Sequence, residues 1–485
     1  MSDERRLVGV DLGIASEHTV RVLRGDGSEI ARRRARPTVE SLAAVEAAAL
    51  AGAATGTRLE VVMEPTGPAW LPVAVFFLNR GHRVFRVASA QAADLRRFLS
   101  RHAKSNGIDA DTLARLPLIA PEGLQPLELP GPAAAALDRR VRACDRLTQQ
   151  GALHQRRIKD LVRQLLPESP LTGDLSKTDL AVLERWADPR TLLAAGRSRL
   201  LAVIAKTSQG QQGAARADRW RAAAAASLEL YGEHPAAAFT DLAAEVATEV
   251  RLLQAVRAEL AGHAAARAEA YRFTDPAALA ASLPGLAEVG APTVTAIIGR
   301  PGRFPTGKQF RSFTGLTPKA SETGHTDRKG QPMSKAGNRL LRTTLIRAAD
   351  NARRQDPQLA RIYYVQMVER GADHLKACCV VAAHLAERLH AVLVRGMPYL
   401  VCDTDGTPVD HATAKQIIAA QWTVPAEVRA RRRSRKPTPS GRAGKAPQQV
   451  HKGHDRSDTR RVDKRGDLPR PTSLLSPKTP VKTST

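Results

Sequence analysis

Residues 7–14, Leu7-Val8-Gly9-Val10-Asp11-Leu12-Gly13-Ile14, constrain the chain most. Apolar side chains fall on both parities, which a strand tolerates only when both of its faces are covered. The run therefore asks for a sheet with helices on either side. It also carries one carboxylate, Asp11. Burying a carboxylate is costly unless something compensates its charge. A divalent cation would do so, and would need further oxygen ligands from elsewhere in the chain.

The chain has 485 residues, too many for one core, so several domains are expected. Over residues 5–120 the pattern alternates. Strands are expected at Leu7–Ile14, Thr19–Arg24, Glu29–Arg34, Arg58–Met63 and His82–Val87. Gly25-Asp26-Gly27 supplies a hairpin turn. Helices are expected at Val39–Leu50, Trp70–Asn79, Ala90–Leu99 and Asp109–Leu116. Three antiparallel strands followed by alternating helices and strands match an α/β ribonuclease-H-like layout.

Residues 130–275 are rich in Ala, Leu, Arg and Glu. Ala133–Leu166 and Pro235–Tyr271 have helical periodicity, as expected of an antiparallel coiled-coil arm. Within it, Gln155-Arg156-Arg157-Ile158-Lys159 offers three basic residues, to phosphate or simply to solvent. Residues 276–400 read as mainly α. There Leu283-Pro284-Gly285-Leu286-Ala287-Glu288-Val289-Gly290 leads into apolar Val294–Ile298, a helix-hairpin-helix-like turn whose N–H groups would suit phosphate. Residues 425–485 are expected to be a disordered basic tail, with 16 basic and 4 acidic residues from 431 onward.

Net charge is +26, which favours a polyanionic partner. Aromatics are only 4% of residues, so phosphate contacts rather than base stacking should dominate binding. Cys144, Cys378, Cys379 and Cys402 have no metal-ligand spacing and suit a reducing cytoplasm. No stretch reads as long and apolar enough to span a membrane.

Two-metal phosphodiester chemistry needs several carboxylates around one site. In a ribonuclease-H-like sheet they come from the first strand, the end of the fourth strand and the last helix. Asp11 and Glu64 occupy the first two places. The third is Lys104-Ser105-Asn106-Gly107-Ile108-Asp109-Ala110-Asp111, where positions 106 and 109 share a helix face. Asp109 as a helix cap and Asp111 as a surface residue are the plainer readings.

These motifs resemble the DEDD insertion-sequence transposases of the IS110 family, over roughly residues 7–116 and 280–400. Gly9-Val10-Asp11 and Glu64-Pro65-Thr66-Gly67 fit its first two motifs. Its third, usually Lys-Thr-Asp-x-x-Asp-Ala, is here Lys104-Ser105-Asn106-Gly107-Ile108-Asp109-Ala110, so Asn106 stands where an Asp is expected. Asn106 can still offer a neutral oxygen to a metal, and Asp111 is a further candidate ligand. The C-terminal motif covers Phe313-Thr314-Gly315-Leu316-Thr317-Pro318, Ser321-Glu322-Thr323-Gly324 and Met333-Ser334-Lys335-Ala336-Gly337-Asn338-Arg339-Leu340-Leu341-Arg342. In the family, a Ser directly before the Gly attacks DNA; the matching residue here is Thr323. Ser321 is the alternative. In an extended loop the two hydroxyls stand about 7 Å apart, so only one can reach a fixed phosphate. Lys104, Gly324, Lys335, Arg339 and Arg342 are the expected nucleic-acid contacts.

The resemblance implies a RuvC-like metal domain using Mg²⁺ or Mn²⁺ and a hydroxyl–DNA covalent intermediate. It implies duplex DNA partners, a structured bridge RNA acting as guide, and a homodimer or homotetramer in a prokaryotic, nucleoid-associated setting. Two other readings stand beside it. One is a Holliday-junction nuclease that uses water in place of a protein hydroxyl. The other is a catalytically decayed nucleic-acid binder.

Overall fold

A computed structural model describes residues 5–65, 67–99, 105–232, 234, 237–319, 322–323, 326–327 and 331–433. Among them, five strands form one sheet: β1 (Arg6–Asp11), β2 (His18–Arg24), β3 (Glu29–Ala35), β4 (Leu59–Met63) and β5 (Arg83–Arg86). Their order is β3-β2-β1-β4-β5. β1 pairs antiparallel with β2 and parallel with β4, so β1 is central. This is the mixed sheet the alternation predicts.

Both faces of β1 are covered, as its apolar parities require. One face packs Val8, Val10, Val20, Val22, Val61 and Met63 against α1 (Val39–Leu50) and α2 (Trp70–Asn79). The other carries Leu7, Leu23 and Val62, which meet α3 (Ser89–Leu99) and α4 (Asn106–Ile119). The last helix begins three residues earlier than expected because Ser105 accepts the Ile108 N–H and caps it. Asp109 is therefore inside the first turn and not a cap.

The middle of the chain is helical. α5 (Pro132–Leu165) is followed by α6 (Lys177–Trp186), α7 (Pro189–Ala194), α8 (Gly196–Thr207), α9 (Ala214–Tyr231) and α10 (Phe239–Thr274). α5 and α10 lie side by side. Arg140 meets His263, and His154 meets Glu249 at 2.6 Å, so the two helices run antiparallel. The shorter helices gather at the far end of this pair around Trp220, which is fully buried. In the basic run, Arg157 is paired with Glu249 at 3.1 Å and Lys159 donates to the Gly173 carbonyl, so these two face protein groups.

The remaining helices are α11 (Gly290–Ile298), α12 (Gly307–Thr314), α13 (Arg339–Ala352), α14 (Pro357–Tyr364), α15 (His374–Arg395), α16 (His411–Gln421) and α17 (Ala426–Arg433). Before α11, Gly285 has φ +81° and lies against α13, where a Cβ would come 2.2 Å from the Ala348 carbonyl oxygen. Close backbone packing thus gives this turn its own reason for glycine.

One expectation needs correction. By length and composition α15 is apolar enough to cross a membrane. It buries Ala377, Val381, Leu385 and Leu389 and packs against α12, α13 and α14, so its apolar residues build the C-terminal core. The stretch expected as a disordered tail, 425–485, opens instead with a helix over Ala426–Arg433, and residues 434–485 lie outside the described residues.

Helix α4 approaches β1 so closely that a Cβ on Gly9 would lie 2.0 Å from the Ala110 carbonyl oxygen and 2.4 Å from the Ala114 nitrogen. Backbone atoms cannot swing aside. Gly9→Ala should therefore cost about 3 kcal/mol, the upper end for overpacking, read as a lowered urea midpoint. A midpoint equal to wild type would show that the two elements separate freely.

Candidate active site

Asp11 is the last residue of β1, and Val10 pairs with Met63 on β4. Glu64 follows Met63 directly, so the two carboxylates leave the sheet side by side, from neighbouring parallel strands about 4.8 Å apart. Asp11 shares its face with Leu7 and Gly9, the face under α4.

α4 runs antiparallel to β1. Ala114 and Leu118 sit on Leu7 and Leu23, while Ala110 sits on Gly9 one turn nearer the end of the strand. The first turn of α4 thus stands above the edge where Asp11 emerges, and Asp109 belongs to that turn. Arg96 of α3 donates to Asp109 Oδ1 at 2.9 Å. Asn106 opens the helix and is exposed. Asp111 is turned elsewhere, held by Arg115 Nε at 2.7 Å. Arg32 of β3 has its pKa raised chiefly by Glu29, with Asp111 adding to it. The helix brings Asp109 towards this edge and sends Asp111 towards β3. Sequence reasoning missed the Arg96 partner, since nothing in the spacing of α3 and α4 announces it. Lys104 lies outside the described residues.

Asp11, Glu64 and Asp109 are hard oxygen donors, the kind Mg²⁺ or Mn²⁺ takes in small number. With Asp11 and Glu64 on adjacent strand ends, the donor set suits such an ion. His18, a tempting base near Asp11 in sequence, is on the opposite face with Val20 and Ala35. Its Nδ1 accepts the Gly13 N–H at 3.2 Å.

The C-terminal motif forms a loop between α12 and α13. Gly315 ends α12 with φ +72°, and a Pro318–Met333 bridge closes the base of the loop. Ser334 N–H donates to the Thr317 carbonyl at 2.8 Å. Above it, Glu322–Thr323 (β6) and Thr326–Asp327 (β7) pair antiparallel, with Thr323 opposite Thr326. Thr323 therefore sits at the tip of a hairpin. Ser321, Gly324 and His325 lie outside the described residues. Lys335 and Arg339 are exposed. Arg342 is half-buried and donates to the Lys335 carbonyl at 3.1 Å, so it shapes the loop. Gly337 fits because a Cβ there would lie 2.3 Å from the Phe313 carbonyl oxygen.

A second set of possible metal donors joins Asp350 of α13 to His374 and Cys378, one turn apart on α15. That four-residue helical spacing was readable in the sequence. Arg353 donates twice to Asp350 Oδ1, at 2.7 and 2.9 Å, and Arg354 reaches its other oxygen at 3.3 Å. Burial pushes the Cys378 thiol up to about 12. The Asp350 carboxylate is thus already paired with two arginines.

The chain thus joins a ribonuclease-H-like α/β start to a helical C-terminal part carrying a short hairpin. Residues 8–167 match a DEDD-type transposase family, and residues 277–364 match the Transposase IS116/IS110/IS902 family. The chain belongs to the IS110 family of DEDD transposases. It is thus an insertion-sequence transposase, a DNA-binding enzyme of DNA cleavage and rejoining, from a family that generally uses a divalent metal. No curated protein matches the chain.

Burial lowers the His18 pKa below its ordinary 6.5. The unfolded chain thus takes up this proton more readily than the folded one. The contribution of His18 is complete above about pH 6.5 and is lost as pH falls towards the lowered value. Urea midpoints should drop between about pH 7 and about pH 5 by less in His18→Gln than in wild type. Equal drops in the two proteins would count against a buried neutral imidazole.

Proposed function

We propose that the chain transfers DNA strands through a covalent ester between a hydroxyl of the C-terminal hairpin and DNA. Asp11 and Glu64 are the core of the metal site, with Asp109 and Asn106 contributing from α4. The observation that carries this reading is the register of β1 and β4, which puts Asp11 at the end of β1 beside Glu64, the residue that follows β4. A bound divalent ion would supply charge neutralisation at the reacting phosphate. The residues of the chain do the rest.

Thr323 Oγ1 attacks the phosphorus, its bond to phosphorus forms and the bond to the 3′-oxygen breaks. The hydroxyl proton passes, by way of a site carboxylate, to the departing oxygen. In the second half, a 3′-hydroxyl of another strand attacks the same phosphorus, and Thr323 regains its proton. The ester conserves the bond energy, so no nucleotide is consumed. Ser321 is the alternative nucleophile. Lys104, Lys335, Arg339 and the backbone at Gly324 serve as phosphate contacts, with Arg342 holding the loop.

Three working parts follow from this: a metal domain over 5–120, a helical coiled-coil arm over 130–275 and a nucleophile domain over 276–400. The basic stretch 425–485 adds sequence-blind attraction to nucleic acid. A structured RNA encoded by the element is the proposed guide. Nucleophile and carboxylates from neighbouring copies would meet at one phosphate in a dimer or tetramer. The surplus of positive charge and the scarcity of aromatics support such phosphate-dominated partners.

Labelled element-end DNA, Mg²⁺ and the flanking transcript should give a protein–DNA adduct on a denaturing gel, mapping by mass spectrometry to Thr323. An adduct on Ser321 would reassign the nucleophile. Cutting that survives both Thr323→Ala and Ser321→Ala would replace the ester with a water-using nuclease mechanism. Asp11→Asn should abolish cutting while leaving salt-sensitive DNA binding in place; undiminished cutting by that variant would refute the metal assignment.

A further inference from the structure

The sheet places a basic groove in line with the carboxylate edge. Asp11 pairs with Thr19 on β2, and Thr19 pairs with Arg34 on β3. One step back along the strands, Gly9 pairs with Arg21 and Arg21 with Arg32. Directly opposed residues in antiparallel strands point to one face. Asp11, Thr19, Arg34, Arg21 and Arg32 therefore share the face under α4. An open cavity of about 560 Å³ is lined by Thr19, Arg21, Arg32, Arg33, Arg34 and the start of α4.

The charges in this groove are unequally matched. Glu29 pairs with Arg32 at 2.6 Å and lies 4.0 Å from Arg21. Arg33, opposite Val20, belongs to the other face of the sheet, and its guanidinium donates to the Arg32 carbonyl. Arg34 is exposed and has no ion pair among the described residues. Arg21 rests on the first turn of α4, where a Cβ on Gly107 would lie 2.6 Å from Nη2. That turn adds the positive end of a helix dipole. Beyond the carboxylate edge itself, the acidic groups described nearby are Asp111, taken by Arg115, and Glu29, which cannot neutralise the three guanidinium groups of Arg21, Arg32 and Arg34.

We infer that this groove binds the phosphates next to the scissile one on the same DNA strand, with Arg34 as the principal contact and Arg32 and Arg21 behind it. The inference rests on the metal-edge reading above and adds the direction in which the strand leaves it, laterally from β1 across β2 to β3. Two strand spacings separate Asp11 from Arg34, about 10 Å, which suits neighbouring phosphates on one strand rather than a second duplex. Guanidinium groups suit phosphate oxygens through paired N–H donors. DNA is chosen over RNA because the groove continues the line of the reacting phosphate.

The test uses the full chain and a labelled duplex carrying one element end, without divalent metal, so that binding is read apart from cutting. Arg34→Ala should reduce the slope of log affinity against log salt by about 0.9, and Arg32→Ala with Arg34→Ala by about 1.8. Arg34→Lys should keep the slope. A control pair, Arg139→Ala with Arg219→Ala, removes the same charge from exposed sites elsewhere and should leave it near wild type. Ethylation interference, with metal restored, should mark phosphates beside the cut in wild type and lose those marks in Arg34→Ala. An unchanged slope, an equal loss in the control pair, or unchanged interference would overturn the inference. Absence of salt-dependent DNA binding by wild type would instead strike the strand-transfer reading itself. Arg34 is exposed and has no ion pair among the described residues, so Arg34→Ala alone keeps the test open should the double variant unfold.

Discussion

The approach of α4 to β1 is the constraint on which the N-terminal architecture depends. At Gly9 the helix backbone touches the strand backbone, with no side chain between them. That contact sets the height of α4 over the sheet and fixes which of its turns stands at the carboxylate edge. Asp109 enters the neighbourhood of Asp11 for this reason, and Asp111, two residues on, is carried round to the β3 side. Arg96 then holds Asp109 from α3 and balances its charge. A small residue two places before the carboxylate is thus as much a part of the site as the carboxylate itself.

Much of this was legible in the sequence, for identifiable reasons. The five strands of the N-terminal sheet follow from short β-branched runs separated by turn residues, and their boundaries fall within a residue or two except where β1 ends at Asp11 rather than at Ile14. Alternation also gave away the pairing of apolar faces around β1. The early start of α4 depends on the Ser105 cap, a signal present in the sequence but outweighed by the apolar run that follows it. Side-chain partners were the least legible part. Arg96 with Asp109 and Arg342 with the Lys335 carbonyl are tertiary pairings, and no local pattern encodes them. The apolar character of α15 was underestimated because its charged and polar residues break the eye's run while leaving the average high.

The hairpin loop after α12 shows a different economy. Its base is tied by backbone bonds between 317–319 and 332–334, and its return into α13 passes through Gly337 in a backbone region open only to glycine. Lys335 adopts a left-handed conformation that most side chains avoid. The root of the loop is thus set by backbone bonds and by two unusual backbone conformations.

The antiparallel pairing of α5 and α10 carries a consequence of another kind. Because α10 returns along α5, the chain leaves the sheet domain and re-enters the C-terminal part at one end of the pair, and Arg300 forms an ion pair with Glu128 just there. Everything between, about 50 Å out along α5 by its rise per residue and back again, is a detour whose endpoints are already neighbours. Its length is then a free variable. Matched additions or removals of whole turns on both helices would change the reach of the excursion and leave its two roots where they are, so that span can be tuned by evolution separately from chemistry.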